Sequence, residues 1–368
     1  MTAETGTSMN QNLQQLRAAG QSLWLDNITR QILDDGTLAR WIGEYGLTGL
    51  TSNPTIFDEA IGGSDAYDAG IRDKHRSGLA GEALFLELAL EDLRRAARLF
   101  EPAHAATDGL DGWVSMELSP LLADDTPGSV AAALRIHEQA ACRNLFVKIP
   151  GTPAGVPAIE ESIYQGVPIN VTLLFSTAQY RAVAEAYMRG IERRIAEGRD
   201  PKVVSVASVF VSRWDKAIAK SAPEALRNGL GIAMGMQCYG AYRDLLASDR
   251  WKKLQAAGAM PQRLLWASTS TKDPAAPDTL YVEALAAPDT IDTVPAKTLQ
   301  AFADHGKVDG VMAVDGGDAG ARLARYTDAG IDLDALAAQL QEEGAASFVK
   351  SWQQLLQRIE DKTRALAS

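Results

Sequence analysis

Along the chain, short apolar runs alternate with longer stretches whose apolar positions recur every three or four residues. The short runs are Ser22–Leu25, Gly49–Ser52, Trp113–Met116, Asn144–Ile149, Ile169–Phe175, Val203–Phe210, Leu264–Ala267 and Thr290–Val294. Their length and near-continuous hydrophobicity fit strands buried on both faces. Between them, Gly81–Leu99, Pro127–Ala141, Thr177–Glu197, Glu224–Leu246 and Ala296–His305 carry helical spacing. Strand followed by helix, repeated, predicts a parallel sheet. Eight such strands predict an α/β fold closed into a (β/α)8 TIM barrel. The alternative is an open doubly wound sheet, but no Gly-x-Gly-x-x-Gly follows the first strand.

A barrel takes about 250 residues, and the chain has 368. The surplus falls in a polar arm, Met1–Leu16, in Lys220–Gln262 between the sixth and seventh strands, and after Gly306. Asp332–Ser368 reads as a helical tail, with leucines and alanines at helical spacing. No linker or low-complexity run interrupts the alternation. Residues 1–368 are therefore expected to form one domain with extra helices, an N-terminal arm over 1–16 and a C-terminal tail over 332–368.

Composition narrows the function classes. Hydrophobic residues make up 46% and charged residues 23%, which is globular rather than disordered usage. The 36 Lys+Arg against 47 Asp+Glu give a net charge of −11, which argues against generic nucleic-acid binding. A few local cations can still hold a small anion. No apolar stretch reaches the roughly 18 residues that span a bilayer, and Met1–Asn12 has no signal-peptide character. Two cysteines, Cys142 and Cys238, make no disulfide scaffold, so a reduced, cytoplasmic protein of enzyme size is expected. The histidines (His75, His104, His137, His305) show no metal-ligand spacing, so no metal is expected. Val314–Gly320 looks like a phosphate loop but lacks the Lys-Ser/Thr ending. Cys142 reads as a core residue, Trp24 and Trp266 as fillers of the barrel, and Glu91–Arg98 as a solvated helix face.

Chemistry in a parallel barrel gathers at the C-terminal ends of the strands, so polar residues late in apolar runs are the candidates. The sharpest is Lys148 in Asn144-Leu-Phe-Val-Lys-Ile-Pro150. Leu145, Val147 and Ile149 share one face; Phe146 and Lys148 share the other. If the first face meets the helices, Lys148 points into the barrel. There its charged form is disfavoured, and a neutral amine can form a Schiff base with a carbonyl. A salt-bridged or snorkelling lysine is the structural alternative. Asp26, Asn53, Glu117, Thr172 with Asn170, and Ser208 with Phe210 also lie late in their strands, and Arg213 follows in the next loop. Each has a structural reading as a cap, turn, surface pair or small filler. Six strands with a polar residue near the end describe a polar pocket around one amine.

The set resembles a known family. Asp26 after Leu-Trp-Leu, Thr51-Ser-Asn-Pro-Thr55, Val147-Lys148, Asn170-Val-Thr-Leu-Leu-Phe-Ser176 and Ser208-Val-Phe-Val-Ser-Arg213-Trp-Asp215 resemble transaldolase, in its longer bacterial type, from about Leu23 to Ala267. The resemblance implies a (β/α)8 barrel without cofactor. It implies transfer of a dihydroxyacetone unit from sedoheptulose 7-phosphate or fructose 6-phosphate to an aldose phosphate, in the non-oxidative pentose phosphate pathway. It makes Lys148 the Schiff-base lysine, Asp26 the acid/base at the C4 hydroxyl, and Glu117 with Thr172 the pair that holds a water and shuttles protons. Asn53 and Asn170 would bind the dihydroxyacetone hydroxyls, Ser208 and Phe210 would line the pocket, and Arg213 would bind phosphate. Many members have an arginine in an Ala-Ser-Phe-Arg pattern after the seventh strand. Here the run is Ala267-Ser-Thr-Ser-Thr-Lys272, so Ser268 and Lys272 take that place. Two other functions compete: a Schiff-base fructose 6-phosphate aldolase, and a non-catalytic sugar-phosphate-binding barrel. The small aldolases are much shorter and carry glutamine where this chain has Glu117. A homodimer is expected by base rate and analogy.

Overall fold

The computed structural model describes residues 9–367. Its eight strands are β1 (Gln21–Asp26), β2 (Gly49–Thr51), β3 (Val114–Glu117), β4 (Leu145–Pro150), β5 (Ile169–Leu174), β6 (Ser205–Phe210), β7 (Arg263–Ala267) and β8 (Thr290–Val294). All neighbours pair in parallel, in the order β2-β1-β8-β7-β6-β5-β4-β3. The ring closes between β2 and β3 through the Gly49–Trp113 bridge and a 2.9 Å bond from Leu50 N to Trp113 O. Gly49 is required at this seam. A Cβ there would lie 2.5 Å from the Trp24 ring and 2.7 Å from the Trp113 carbonyl. The molecule is the expected (β/α)8 barrel.

Alternation along each strand separates two cores. Leu145, Val147 and Ile149 of β4 face the surrounding helices, while Phe146 joins Trp24, Trp113 and Leu265 inside the barrel. The Phe146 ring stacks on Trp113 at 4.1 Å and on Trp24 at 6.2 Å. These rings plug the barrel, so only its C-terminal end can open into a pocket. Trp266 corrects one expectation: it lies in the helix-facing core, because Leu265 and Ala267 take the inward positions of β7.

At the N-terminal end of the barrel, Arg263 and Asp111 are buried and 3.7 Å apart. Asp111 accepts from Ser22 Oγ and from Trp24 Nε1 (2.7 Å). Arg263 donates to Ser22 Oγ (2.7 Å) and Thr290 O (2.8 Å). The burial of this ion pair is therefore offset by hydrogen bonds.

Several local expectations change. Met1–Ser8 lies outside the described residues; the arm leads into a helix, Gln11–Ala18, capped by Asn10, with Leu13 and Leu16 buried. The expected helix over 224–246 is broken, because Asn228 takes a left-handed conformation (φ 59°). A short turn, Glu224–Leu226, precedes a separate helix, Leu230–Ala247, whose first N–H groups bond to the buried Asp215 carboxylate at 2.9 and 3.1 Å. The Glu91–Arg98 stretch is not simply a solvated face. Asp92 is buried and pairs with Arg30 at 3.0 Å, since the Gly81–Ala106 helix packs that side against the Arg30–Asp34 helix. In the Val314–Gly320 loop, the Asp315 carbonyl lies against Gly240, where a Cβ would meet it at 2.8 Å, so this is a packing turn.

The tail forms one helix, Leu333–Ala367. Gln341 Nε2 donates to Gly151 O (3.0 Å) and Leu173 O (2.9 Å), just beyond β4 and late in β5. Farther along, Ser351 bonds Thr55 (2.8 Å) and Arg358 pairs with Asp58 (2.6 Å), both in the Pro54–Gly62 helix after β2. The helix therefore runs across the C-terminal end of the barrel. No helix among the described residues is long and apolar enough to cross a membrane.

Candidate active site

Lys148 is the next-to-last position but one of β4, on its inward face, and is buried. Its neighbours follow from the register: Glu117 of β3 on one side and Asn170 of β5 on the other. Lys148 Nζ lies 3.2 Å from Glu117 Oε2 and donates to the Ser52 carbonyl at 3.0 Å. Asn170 Nδ2 donates to Ser115 Oγ (3.2 Å), and Asn170 Oδ1 accepts from Ser208 Oγ (2.7 Å). These bonds fix the orientation of the asparagine amide beside the lysine.

Asp26 ends β1 and pairs in register with Thr51. Thr51 Oγ1 donates to Asp26 Oδ1 at 2.7 Å and meets Thr293 Oγ1 at 2.7 Å. With Thr51 donating to the carboxylate, Thr293 donates to Thr51. Burial raises the Asp26 pKa; the Thr51 bond and the nearby Lys148 and Lys272 charges oppose it. Burial also raises Glu117, opposed by Lys148 and reinforced by the Asp26 charge. Two carboxylates with different partners beside one amine can hold different protonation states at one pH.

These groups open on a pocket of about 150 Å³. Among the expected residues, Asp26, Asn53, Lys148, Thr172, Ser208, Phe210, Arg213, Ser268 and Lys272 line it, while Glu117 and Asn170 flank Lys148 on the neighbouring strands. Asn53 also caps the Pro54–Gly62 helix by accepting from Ile56 N (3.0 Å), which leaves its amide N–H groups for a ligand. Thr172 Oγ1 is buried with no protein partner. It precedes a bulge in β5, where the register shifts between Val171 and Leu174 and Leu173 has φ 59°. Bulges at such positions re-aim side chains.

Arg213 and Lys272 form the cationic side. Neither has an ion-pair partner within 4 Å among the described residues. Burial lowers the pKa of both, and for Lys272 the charges of Lys216 and Arg213 add to the effect. Lys272 donates to Ser270 Oγ, and Ser268, at φ 56°, bonds Ser212. Two unneutralised cations beside hydroxyls fit an anion such as phosphate.

Sequence reasoning missed Thr293, Ser270 and Phe348 as lining residues. Thr293 shares the inward face of β8 with Ile291, so alternation could have found it. Phe348 lies in the tail helix, 200 residues after Lys148, and no local pattern marks it.

The family model described as Transaldolase/Fructose-6-phosphate aldolase matches residues 23–359. The protein named Transaldolase from Parafrankia sp. (strain EAN1pec) is 44% identical over 98% of this chain and 100% of its own length. Transaldolase from Thermobifida fusca (strain YX) is 43% identical over 97% of this chain and 100% of its own length. Transaldolase 2 from Nostoc punctiforme is 40% identical over 97% of this chain and 98% of its own length.

Proposed function

The chain belongs to the transaldolase/fructose-6-phosphate aldolase family and is an enzyme of the transaldolase type, a transferase; from that premise we propose that it moves a dihydroxyacetone unit between sugar phosphates through a Schiff base on Lys148. The donor is sedoheptulose 7-phosphate or fructose 6-phosphate. The acceptor is glyceraldehyde 3-phosphate or erythrose 4-phosphate. One observation carries this reading: a buried amine touches one carboxylate, Glu117, and shares its pocket with a second, Asp26, and with two unpaired cations.

In this reading, the Lys148 amine attacks the ketose C2 carbonyl to give a carbinolamine. Glu117, with a water held against Thr172, supplies the proton that lets the hydroxyl leave as water. The protonated imine then accepts the electron pair of the C3–C4 bond as Asp26 takes the C4 hydroxyl proton. The aldose phosphate leaves, and the three-carbon enamine stays bound. Addition to the acceptor aldehyde reverses these steps, with Asp26 returning its proton to the new C4 oxygen. Asn53 and Asn170 orient the hydroxyls of the three-carbon unit, and Ser208 and Phe210 bound it. Arg213, Lys272 and Ser268 hold the phosphate away from the imine. The same proposal sets the enzyme in the cytoplasm, as a homodimer acting in the non-oxidative pentose phosphate pathway, with no nucleic-acid partner; the excess of acidic residues supports the last point.

The test is borohydride trapping with fructose 6-phosphate. The expected product is a reduced three-carbon adduct on Lys148, located by peptide mass spectrometry and absent from Lys148→Met. An adduct on another lysine, or none, overturns the mechanism. Release of free dihydroxyacetone at the full rate without an aldose phosphate would identify a lyase instead.

A further inference from the structure

Arg213 combines two properties that usually conflict. Its guanidinium is held in place, yet it has no carboxylate partner among the described residues. A carboxylate would fix it but would compete with an incoming anion for the same N–H donors. Two aromatic rings flank it instead. The guanidinium carbon lies 5.0 Å from the Phe210 ring centre and 6.0 Å from that of Phe348. Ring contacts of this kind attract the cation without consuming its donors.

The second ring comes from the helix that crosses the barrel end, and its placement is built along one face of that helix. Gln341 ties the helix to the carbonyls of Gly151 and Leu173. Gly344, one turn on, allows close approach: a Cβ there would lie 2.7 Å from Leu173 Cδ2 and 3.1 Å from Arg213 Nη1. Phe348, a further turn on, is 6% exposed and lines the pocket. Positions 341, 344 and 348 share a helix face by their spacing.

We propose that Phe348 is a positioning residue that holds Arg213 over the pocket and thereby sets the preference for phosphorylated acceptors. The inference rests on the reading of Arg213 as the phosphate-binding residue. It assigns a specificity role to the tail helix, which crosses the end of the barrel where Lys148 lies.

The experiment is steady-state transfer at saturating fructose 6-phosphate, with glyceraldehyde 3-phosphate or unphosphorylated glyceraldehyde as acceptor. The variants are Phe348→Leu, Phe348→Tyr, Gly344→Ala and Arg213→Ala. Phe348→Leu is expected to raise KM for the phosphorylated acceptor about fivefold, the loss of one ring contact. Its kcat/KM for glyceraldehyde should fall by less, so that the preference between the two acceptors shifts toward the unphosphorylated one. Phe348→Tyr keeps a ring and should restore KM. Gly344→Ala should raise KM in the same direction, and it carries the test if Phe348→Leu fails to fold by circular dichroism. Arg213→Ala is the control for the underlying reading. Equal impairment of both acceptors in that variant would refute Arg213 as the phosphate residue. Selective impairment in Arg213→Ala, with Phe348→Leu and Gly344→Ala affecting both acceptors equally or neither, would overturn the role given to Phe348.

Discussion

Asp292 gives a quantitative test of how burial sets charge in this barrel. It lies on the helix-facing side of β8, fully buried. One oxygen accepts from Thr269 Oγ1 at 2.9 Å; the other makes no protein hydrogen bond. Burial pushes its pKa up from 3.8 to about 7. The folded protein therefore binds this proton more tightly than the unfolded chain. The group's contribution to stability is fully present below pH 3.8 and is lost as pH rises through about 7. A shift of this size corresponds to about 4 kcal/mol in total, of which about 2 kcal/mol falls between roughly pH 5.5 and 8.5. Asp292→Asn keeps the acceptor for Thr269 and cannot ionise. The difference in unfolding free energy between Asn variant and wild type should move in the variant's favour by about 2 kcal/mol across that range. Urea denaturation followed by circular dichroism at four pH values reads it, and other titrating groups cancel in the difference. Thr269 sits between Ser268 and Ser270, so the retained bond should keep kcat/KM within about twofold. A stability difference that is flat with pH would refute the argument that Asp292 is neutral in the folded state below neutrality.

Three further outcomes are expected. Glu117→Gln should lower kcat for transfer by about 10²-fold or more, the usual worth of a positioned acid/base, and shift the remaining turnover toward release of free dihydroxyacetone; unchanged transfer kinetics would place the proton shuttle elsewhere. Thr51→Val removes the hydrogen bond that holds the Asp26 pKa down. The acidic limb of its kcat/KM profile should therefore move to higher pH, and an unmoved or lowered limb would show that Asp26 is not the group titrating there. Arg263→Met leaves Asp111 buried without its cation at the N-terminal end of the barrel. It should cost about 3–5 kcal/mol of stability by urea denaturation, while the folded variant keeps its activity.

The strand–helix alternation was legible because both faces of every strand are buried, so each run is apolar and bounded. Thr290–Val294 and Ala296–His305 appear at the predicted limits for this reason. The polar positions late in the strands were legible because alternation fixes which face they share; Lys148, Asn170 and Ser208 converge as the register requires. What escaped depends on contacts distant in sequence. The break at Asn228 follows from a left-handed residue and from Asp215 capping the next helix. Asp92 is buried because Arg30, 62 positions away, meets it. Phe348 reaches the pocket only because a helix crosses the barrel end.

Buried charge alone does not mark function here; saturation of its hydrogen bonds separates the two ends of the barrel. At the N-terminal end, Asp111 accepts from Ser22 and Trp24, and every Arg263 nitrogen but Nε has a partner. The charges are used up within the fold, and removing one leaves a structural penalty. At the C-terminal end, Lys148 pairs with Glu117 while Thr172 Oγ1 has no protein partner, and Arg213 and Lys272 face the pocket without carboxylates. For Arg213 and Lys272 the fold offsets desolvation only through ring contacts and one hydroxyl, so an anion that enters the pocket adds stabilisation the fold does not supply. The same strands supply both sets: β1 carries Ser22 at one end and Asp26 at the other, and β7 runs from Arg263 toward Ser268. A parallel barrel thus keeps the end that secures its stability apart from the end whose unmet charges the proposed mechanism uses, and variants at the two ends should separate stability from turnover accordingly.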